Sequence, residues 1–319
     1  MNDRKKYPTE EVEPENFLGN DEVMRLLETR ESYKFKQEDY LKLLNCVHCN
    51  ACGTSEERCQ LNQKFLEDGN EIESLAEMII SFEKYGTPYS TDKMRIRKPE
   101  GIPEESKTLY YMGCLSTIRV PRYTENSLKY LLRHNIDFTI LDKEICCGYP
   151  LYVSGAFEDY EKCKRENIEI FKHYEKIICA CPACYYVFKT HYREELDAEI
   201  LFVVDYLKPT NKKKTGQVAV QHLCQLMNRG RPEVTKIVND VLHESGYKVL
   251  DVPHWCCGGG IGYMHRLDII DKIAIKRMSD FKEGDYSTTY CVSCWWILSR
   301  FGRKYKITPK PKDIFELLM

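Results

Sequence analysis

The number and spacing of the cysteines in this sequence indicate metal-binding chemistry. The chain of 319 residues contains 16 cysteines. Thiolates are soft ligands that suit zinc, copper(I) and iron–sulfur centres. Secreted disulfide scaffolds are usually shorter than about 100 residues, and the polar first 17 residues carry no apolar secretion signal. So many thiols in a chain of this length therefore indicate metal ligation in a reducing compartment.

Five of the cysteines recur at a constant offset. Subtracting 110 from positions 224, 256, 257, 291 and 294 gives 114, 146, 147, 181 and 184, and each of these positions is also a cysteine. The chain therefore contains a tandem repeat, in which Gly148 corresponds to Gly258. Cys163 and Cys179 lie outside the pattern, because their counterparts are Ile273 and Thr289. We interpret both as buried structural residues.

Each copy has five cysteines, one more ligand than a zinc ion or a cubane iron–sulfur cluster binds. A structural zinc ion takes four ligands, and a cubane cluster takes one cysteine per iron. Neighbouring side chains of a strand point to opposite faces, so directing two vicinal cysteines at one site requires a sharp turn. The glycine that follows permits the positive φ of such a turn. The two thiolates could then bind different irons of one polynuclear centre, and two zinc sites with spare cysteines are the alternative.

Strands alternate with helices in both copies. Apolar runs predict the strands, and amphipathic periodicity predicts the helices between them. In the first copy these are strands at 108–112, 138–141 and 176–178 and helices at 122–134 and 157–173. In the second copy they are strands at 218–220, near 249 and up to 290, and helices at 234–242 and 269–273. This order predicts an α/β fold with parallel sheets, and the cysteines follow strand ends, where such sheets bind ligands.

The first 105 residues differ from the two copies. Residues 1–17 are rich in Lys, Glu and Pro and predict a disordered tail, whereas residues 21–85 show helical periodicity. Residues 86–106 contain three prolines and predict a linker or an extended arm. We therefore divide the chain into a helical domain at 1–105 and two repeat domains at 106–212 and 213–319.

The doubled pattern of ten cysteines resembles the cysteine-rich CCG domain of heterodisulfide reductase, in its B-type or D-type catalytic subunit. The resemblance covers about residues 106–319. It implies two CCG domains related by a pseudo-twofold axis, each with a non-cubane 4Fe-4S cluster, and a disulfide substrate between the clusters. The implied ligands are Cys114, Cys146, Cys147, Cys181 and Cys184 in one set and Cys224, Cys256, Cys257, Cys291 and Cys294 in the other. The resemblance also implies a catalytic role for Cys147 and Cys257 as ligands of the paired clusters.

An earlier group of cysteines has ferredoxin spacing. Cys46, Cys49 and Cys52 resemble the helical ferredoxin of the C-type partner of that catalytic polypeptide. The fourth cysteine, Cys59, follows after six residues instead of three and precedes Gln60 instead of proline, and no cysteine occurs between residues 60 and 113. The resemblance implies one cubane 4Fe-4S cluster completed by Cys59, and a zinc ion held by the four cysteines is the alternative.

Other candidate residues flank the cysteines of the second copy. His222, His254 and His265 are candidate proton donors to a leaving thiolate near neutral pH, although a lone histidine is more often a core or surface residue. Residues 258–262 are rich in glycine but lack the strand–glycine–helix frame of a phosphate-binding loop. We interpret this segment as a turn that lets the backbone approach a cluster.

Composition excludes several classes of protein. A net charge of −2 does not fit a basic nucleic-acid binder, and no apolar run reaches the roughly 20 residues that span a bilayer. The sequence predicts a soluble, cytoplasmic protein that would reach a membrane only through a partner subunit.

The resemblance implies an iron–sulfur oxidoreductase that reduces a disulfide, or oxidises two thiols, with electrons passing through the N-terminal cluster. The sequence shows neither a flavin motif nor a nicotinamide motif, so a redox partner is expected: a flavoprotein, a hydrogenase, a formate dehydrogenase or a cytochrome. Two alternatives stay open. One is an electron-relay subunit of a dehydrogenase or a quinone-linked complex, and the other is a zinc-stapled interaction protein without a redox role.

Overall fold

The computed structural model describes residues 8–211, 213–260 and 265–319. The N-terminal part is helical, as its periodicity predicts. Its α-helices are Pro8–Val12, Asn20–Glu28, Tyr40–Leu43, Ser55–Glu67 and Glu73–Tyr85, with 3₁₀ turns at Pro14–Asn16 and Gln37–Asp39. Val23 and Leu26 bury one apolar stripe, and Leu75, Met78 and Phe82 bury another. These stripes hold the N-terminal helices on the rest of the molecule.

The prediction of disorder is wrong for residues 8–17. This segment forms a helix and a 3₁₀ turn, and the carboxylate of Glu13 accepts a hydrogen bond from Arg266 at 2.7 Å. Both side chains of this pair are buried, where leaving either charge without its partner would be strongly destabilising. Composition could not show this order, because its cause lies 253 residues away. Residues 1–7 lie outside the described residues.

The first repeat domain contains a parallel sheet of order β1-β2-β3. Its strands are β1 (Thr108–Tyr111), β2 (Lys176–Cys179) and β3 (Glu199–Phe202). Its helices are Cys114–Ile118, Pro121–Arg133, Tyr149–Val153, Phe157–Phe171 and Pro182–Thr190. Three of the four residues of β1 are fully buried, as expected for a parallel sheet covered on both faces.

The predicted strand at 138–141 does not form. Only Thr139 pairs with the sheet, through a parallel bridge to Leu109. The pairing ends there because the N–H groups that follow β1 bond to a side chain instead of a strand. The carboxylate of Glu144 accepts hydrogen bonds from the N–H groups of Met112 and Gly113.

The second repeat domain contains a parallel sheet of order β5-β4-β6-β7. Its strands are β4 (Gln217–Gln221), β5 (Lys248–Leu250), β6 (Tyr286–Thr289) and β7 (Pro311–Asp313). Its helices are Cys224–Met227, Val234–Glu244, Leu267–Ser279, Val292–Lys304 and Ile314–Leu318. Thr139 of the first domain corresponds to Val249 of β5 at the offset of 110, so the two sheets share one topology. The predicted α/β fold with parallel sheets is confirmed.

An arm at 86–107 crosses the first repeat domain without helix or strand. The N–H of Arg95 donates to the carbonyl of Thr117 at 2.8 Å, and the hydroxyl of Thr139 donates to the carbonyl of Pro103 at 2.9 Å. None of the described helices has the length and apolarity that a membrane crossing needs.

A polar cluster ties the N-terminal helices to both repeat domains. The carboxylate of Glu56 accepts hydrogen bonds from Tyr152, Tyr186 and Arg229, each at 2.8 Å. Arg229 also donates to Ser55 at 2.7 Å and stacks over the ring of Tyr186. Burial alone would raise the pKa of Glu56, but the hydrogen bonds from Arg229 and the two tyrosines outweigh it and hold the pKa below its ordinary value. We call these five residues the Glu56 cluster.

Candidate metal centre

All ten repeat cysteines line one cavity of about 130 Å³. Each cysteine follows a strand or a short connection at the carboxyl edge of its sheet, so the two edges face each other across the cavity. Within the described ranges, no three side chains of Cys, His, Asp or Glu are disposed to hold a single metal ion. The thiols are distributed along the wall, and the members of the two sets are Cys114, Cys146, Cys147, Cys181 and Cys184, and Cys224, Cys256, Cys257, Cys291 and Cys294.

Thiols of each set contact one another, and the contacts repeat between the domains. The Sγ atoms of Cys114 and Cys146 are 3.2 Å apart, and those of the equivalent Cys224 and Cys256 are 3.7 Å apart. In the second set, Cys257 and Cys294 are also 3.1 Å apart. Each set therefore contains thiols in direct contact, and the contact between the first cysteine and the first member of the vicinal pair occurs in both copies.

Glycines with positive φ make the turns that bring the thiols together. Gly148 and Gly258, which follow the vicinal cysteines, have φ values of 78° and 80°. A Cβ at Gly148 would lie 2.7 Å from the ring of Tyr160, closer than real contacts allow. Gly113, before Cys114, has a φ of 87°. The sharp turn that vicinal cysteines were expected to need is thus present in both copies.

Backbone N–H groups point at the sulfur atoms. The N–H of Gly258 donates to Cys256 and that of Gly259 donates to Cys257, both at 3.3 Å. Hydrogen bonds from neighbouring thiols come first among the causes that hold the pKa of Cys147 and of Cys257 well below the ordinary value. Both residues are the second member of a vicinal pair, so the electrostatic environment repeats with the sequence. Soft thiolate donors that receive N–H hydrogen bonds fit an iron–sulfur cluster.

Glu144 supports the first set and was missed by the sequence reasoning. Its two oxygens accept the N–H groups of Met112 and Gly113 at 2.7 and 2.6 Å. Burial raises its pKa to about 7 against the lowering effect of these bonds. The carboxylate thereby fixes the backbone just before Cys114. Comparison of the two copies could not reveal this role, because the residue of the second copy that corresponds to Glu144 is His254.

The N-terminal cysteines lie in a loop between two helices. Cys46, Cys49 and Cys52 line a small cavity with Arg58. The N–H of His48 donates to Cys46 and the hydroxyl of Thr54 donates to Cys52, both at 3.3 Å. These donors again suit thiolate ligands.

Cys59 is not among the residues that line this small cavity. It lies on the helix Ser55–Glu67, where its thiol donates to the carbonyl of Ser55 at 3.1 Å and lies 3.8 Å from Nδ1 of His48. Burial raises its pKa, and the charge of Glu56 and then that of Cys46 add to the shift, so Cys59 and Cys46 are electrostatic neighbours.

The N-terminal loop packs directly on the second set. Cys49 and Cys256 line one small cavity, and interaction with the Cys256 thiol, followed by burial, raises the pKa of Cys49 well above its ordinary value. Gln225 donates to the carbonyl of His48 and Asn228 donates to the carbonyl of Cys49, each at 2.8 Å. A Cβ at Gly260 would lie 2.2 Å from the carbonyl oxygen of Val47. The close approach at this glycine-rich turn is therefore to the N-terminal loop, and Ile261 and Gly262 of the turn lie outside the described residues.

The three candidate histidines do not line the cavity in the described part of the chain. His222 contacts the hydroxyl of Tyr290 at 2.9 Å, and burial lowers its pKa to about 3. Both ring nitrogens of His265 contact serine hydroxyls, and burial lowers its pKa to about 4. His254 is exposed and packs its ring 5.2 Å from that of His222. Burial thus keeps the rings of His222 and His265 neutral near neutral pH, outside the lining of the cavity, and the proton-donor role of the three histidines stays a prediction.

Comparison with known proteins identifies the repeated unit. A family model described as CCG, a cysteine-rich domain, matches residues 108–189 and 218–299, which together make up more than half of the chain. The chain belongs to the CCG cysteine-rich domain family. The two matched segments contain all ten repeat cysteines and carry the two parallel sheets up to β2 and β6.

Proteins of similar sequence include one named as an iron–sulfur protein and one named as a subunit of a fumarate reductase. An uncharacterised iron–sulfur protein of Methanococcus maripaludis is 24% identical over 294 residues, which cover 82% of this chain and 58% of that protein. One of the subunits of fumarate reductase (CoM/CoB) from Methanothermobacter marburgensis is 26% identical over 49% of this chain and 34% of its own length. Lactate utilization protein A of Bacillus licheniformis is 25% identical over 63% of this chain and 94% of its own length. The chain thus spans less than two thirds of the first two of these relatives.

A solved structure shares the fold. A crystal structure of a hypothetical protein from Helicobacter pylori superposes with a TM-score of 0.55 over 93% of this chain and 66% of that chain, at 10% sequence identity. The relatives and the two CCG domains support iron–sulfur clusters as cofactors and a redox role for this protein.

Proposed function

We propose that this CCG protein reduces a disulfide, or oxidises two thiols, in the cavity between its two cysteine sets. The observation that carries the proposal is that all ten repeat cysteines line one cavity. Reduction takes RSSR′, two electrons and two protons to RSH and R′SH. Clusters of iron and sulfur, when bound by the two sets, supply one-electron redox chemistry on both sides of the disulfide.

The chain's own residues hold the two sets in place. Gly113, Gly148 and Gly258 make the turns, and Glu144 fixes the backbone before Cys114. We propose that each set of five cysteines binds one non-cubane 4Fe-4S cluster and that the four N-terminal cysteines bind a cubane cluster. Hydrogen bonds from neighbouring thiols hold the pKa of Cys147 and of Cys257 well below the ordinary value, which favours the thiolate form that a cluster ligand needs.

The N-terminal loop supports an ordered path for electrons. Cys49 lies beside Cys256. We therefore propose that electrons from a redox partner enter at the centre held by the N-terminal cysteines and pass first to the cysteine set of the second repeat domain. The first set then receives its electron across the shared cavity. The relative named as a subunit of fumarate reductase supports the need for such a partner.

An electron-relay subunit is the second candidate, and the match to a protein named as a subunit of fumarate reductase favours it. A relay needs only a closed contact between the two sets. An open cavity between them favours a reaction of a small molecule there. A zinc-stapled protein is the remaining alternative. A brown anaerobic preparation that absorbs at about 400 nm would exclude it, because zinc sites are colourless.

The test is to alter each set separately with Cys147→Ser and Cys257→Ser. Serine is a harder ligand than cysteine, so each variant should lose disulfide turnover to background while the N-terminal centre still takes up electrons from a strong reductant. Cys163→Ala is the control, since Cys163 lies outside the repeat. Half of the wild-type rate in either variant would show that the sets act independently and that the shared-site mechanism is wrong.

A further inference from the structure

The second repeat domain buries an arginine beside its cysteine set. Arg277, on the helix Leu267–Ser279, is 1% exposed. It lines a small cavity together with Cys256, and its Nη2 is buried without a hydrogen-bond partner among the described residues. A guanidinium group stays protonated in proteins, so Arg277 places a full positive charge in the interior of this domain.

Three acceptors hold the guanidinium of Arg277 in place. Its Nε donates to the side chain of Gln221 at 2.5 Å, and its Nη1 donates to the carbonyl of Pro253 at 2.6 Å and to Asp280 at 2.8 Å. The side chain of Asp280 is 23% exposed, against 1% for Arg277. Solvent therefore screens the carboxylate more than the cation, and the positive end of this pair is the end that lies inside.

The thiols of the second set interact electrostatically with this arginine. Burial lowers the pKa of Arg277, whereas the carboxylate of Asp280 and then the charges of Cys257 and Cys294 act to raise it. The interaction is mutual, so the cation favours negative charge on the second set. An electron added to a cluster held there would increase that negative charge, and a cation in the interior stabilises it more than one in water.

The first copy has no cation at the equivalent position. The counterpart of Arg277 is Asn167, which is also 1% exposed, and the counterpart of Asp280 is Ile170. The amide of Asn167 donates to the carbonyl of Cys146 at 2.8 Å. A neutral side chain therefore holds the backbone at the vicinal cysteines of the first set, and the positive charge beside the second set is an addition to that structural role.

We propose that Arg277 makes a cluster held by the second set easier to reduce than one held by the first set. The inference rests on the proposed function, in which each set binds a cluster that takes up one electron at a time from a redox partner. The first electron delivered by the partner would then rest on the second set. Arg277 acts through the charge of the cysteine set and does not touch the substrate, so it is a positioning residue.

The test is a redox titration of the iron-loaded full chain, followed by electron paramagnetic resonance. Signals lost in Cys147→Ser and in Cys257→Ser identify the first and the second set. In the wild type the second set should be reduced at the higher potential. Arg277→Gln should disfavour reduction of the second set about tenfold at a fixed potential, a shift of about 59 mV for one electron, and should leave the first set unchanged.

Two results of this titration would overturn the proposal. One is an equal or reversed order of the two sets in the wild type, which tests the proposal even if Arg277→Gln does not fold. The other is a second set whose potential is the same in Arg277→Gln and in the wild type.

Two further variants separate the buried charge from packing and from net charge. Arg277→Lys keeps the positive charge and should keep the wild-type potential of the second set. Lys276→Gln removes a positive charge from the next position of the helix, where the side chain is 40% exposed and solvent screens it, so the potential should again stay unchanged. A fall in either variant equal to that in Arg277→Gln would contradict the proposal.

Failure of the proposed function gives a different result. The expected potentials in a protein that turns over no disulfide would overturn the disulfide reaction and support the role of Arg277. An iron content that stays the same in Cys257→Ser would show that the second set holds no cluster, and would overturn both.

Discussion

Cys59 lies beside His48, outside the small cavity that the other three N-terminal thiols line. If it is the fourth ligand of a cubane, Cys59→Ser should reduce the iron content by about four of about twelve atoms per chain. Iron analysis and the visible spectrum measure this change. Cys163→Ala should leave the iron content intact, and the same unchanged content in Cys59→Ser would remove Cys59 from the site.

Asp313 gives the protein a pH-dependent stability that is independent of any metal site. Burial raises its pKa to about 6, against hydrogen bonds from Asn126 and from the N–H of Glu316. A carboxyl group with a raised pKa binds its proton more tightly in the folded state, so its contribution to stability falls as pH rises from about 4 to about 6.

Asp313→Asn should remove this dependence. The amide keeps an oxygen for the helix N-terminus and cannot ionise, so the stability of the variant relative to wild type should rise by about 2–3 kcal/mol between pH 4 and pH 7. Denaturant melts at the two pH values measure the difference. A difference that is the same at both would show that Asp313 keeps an ordinary pKa.

At the scale of elements, the proposed electron transfer from the N-terminal loop should depend on the contact between this loop and Asn228, which follows the helix Cys224–Met227. Asn228→Ala removes the hydrogen bond to the carbonyl of Cys49, which loosens the loop on the second set. Electron passage from the N-terminal centre to the second set should then slow severalfold, as followed by stopped-flow spectroscopy.

The matched control for this loop is Asn70→Ala. Asn70 also donates its amide to backbone carbonyls of the N-terminal part, at Phe35 and Phe65, but it lies outside the cysteine loop. Its replacement should leave electron passage unchanged. Equal slowing in both variants would mean that general destabilisation, and not the contact with Cys49, controls the rate.

The Glu56 cluster should matter mainly for stability. Glu56→Gln leaves the side chain of Arg229, which is 4% exposed, without its anionic partner. Loss of a partner from a buried ion pair destabilises a protein strongly, so the free energy of unfolding should fall by about 1–3 kcal/mol. Arg30→Gln, which removes the more exposed pair with Glu67, should cost about 0–1 kcal/mol in the same denaturant melt. An equal loss of unfolding free energy in the two variants would show that the Glu56 cluster stabilises the protein no more than an exposed ion pair does.

At the scale of the whole molecule, the repeat made the architecture predictable. One offset of 110 gave the grouping of the ten cysteines and the similarity of the two sheets, and Gly148 and Gly258 gave the turns. The rest depends on contacts between distant segments that no periodicity encodes. These include the pairing of Glu13 with Arg266, the backbone contacts of Glu144, and the docking of Cys49 on Cys256.

The hydrogen bonds of the Glu56 cluster also bear on how charge moves through the protein. They hold the N-terminal helices against both repeat domains at the same point. A cluster bound by the N-terminal cysteines, as proposed, would therefore be fixed against both repeat domains and would not swing between a donor and an acceptor, as a tethered carrier would. On this proposal each electron would cover a set distance inside the folded molecule. The internal step should then be insensitive to solvent viscosity, and only the encounter with the external partner should slow in a more viscous medium.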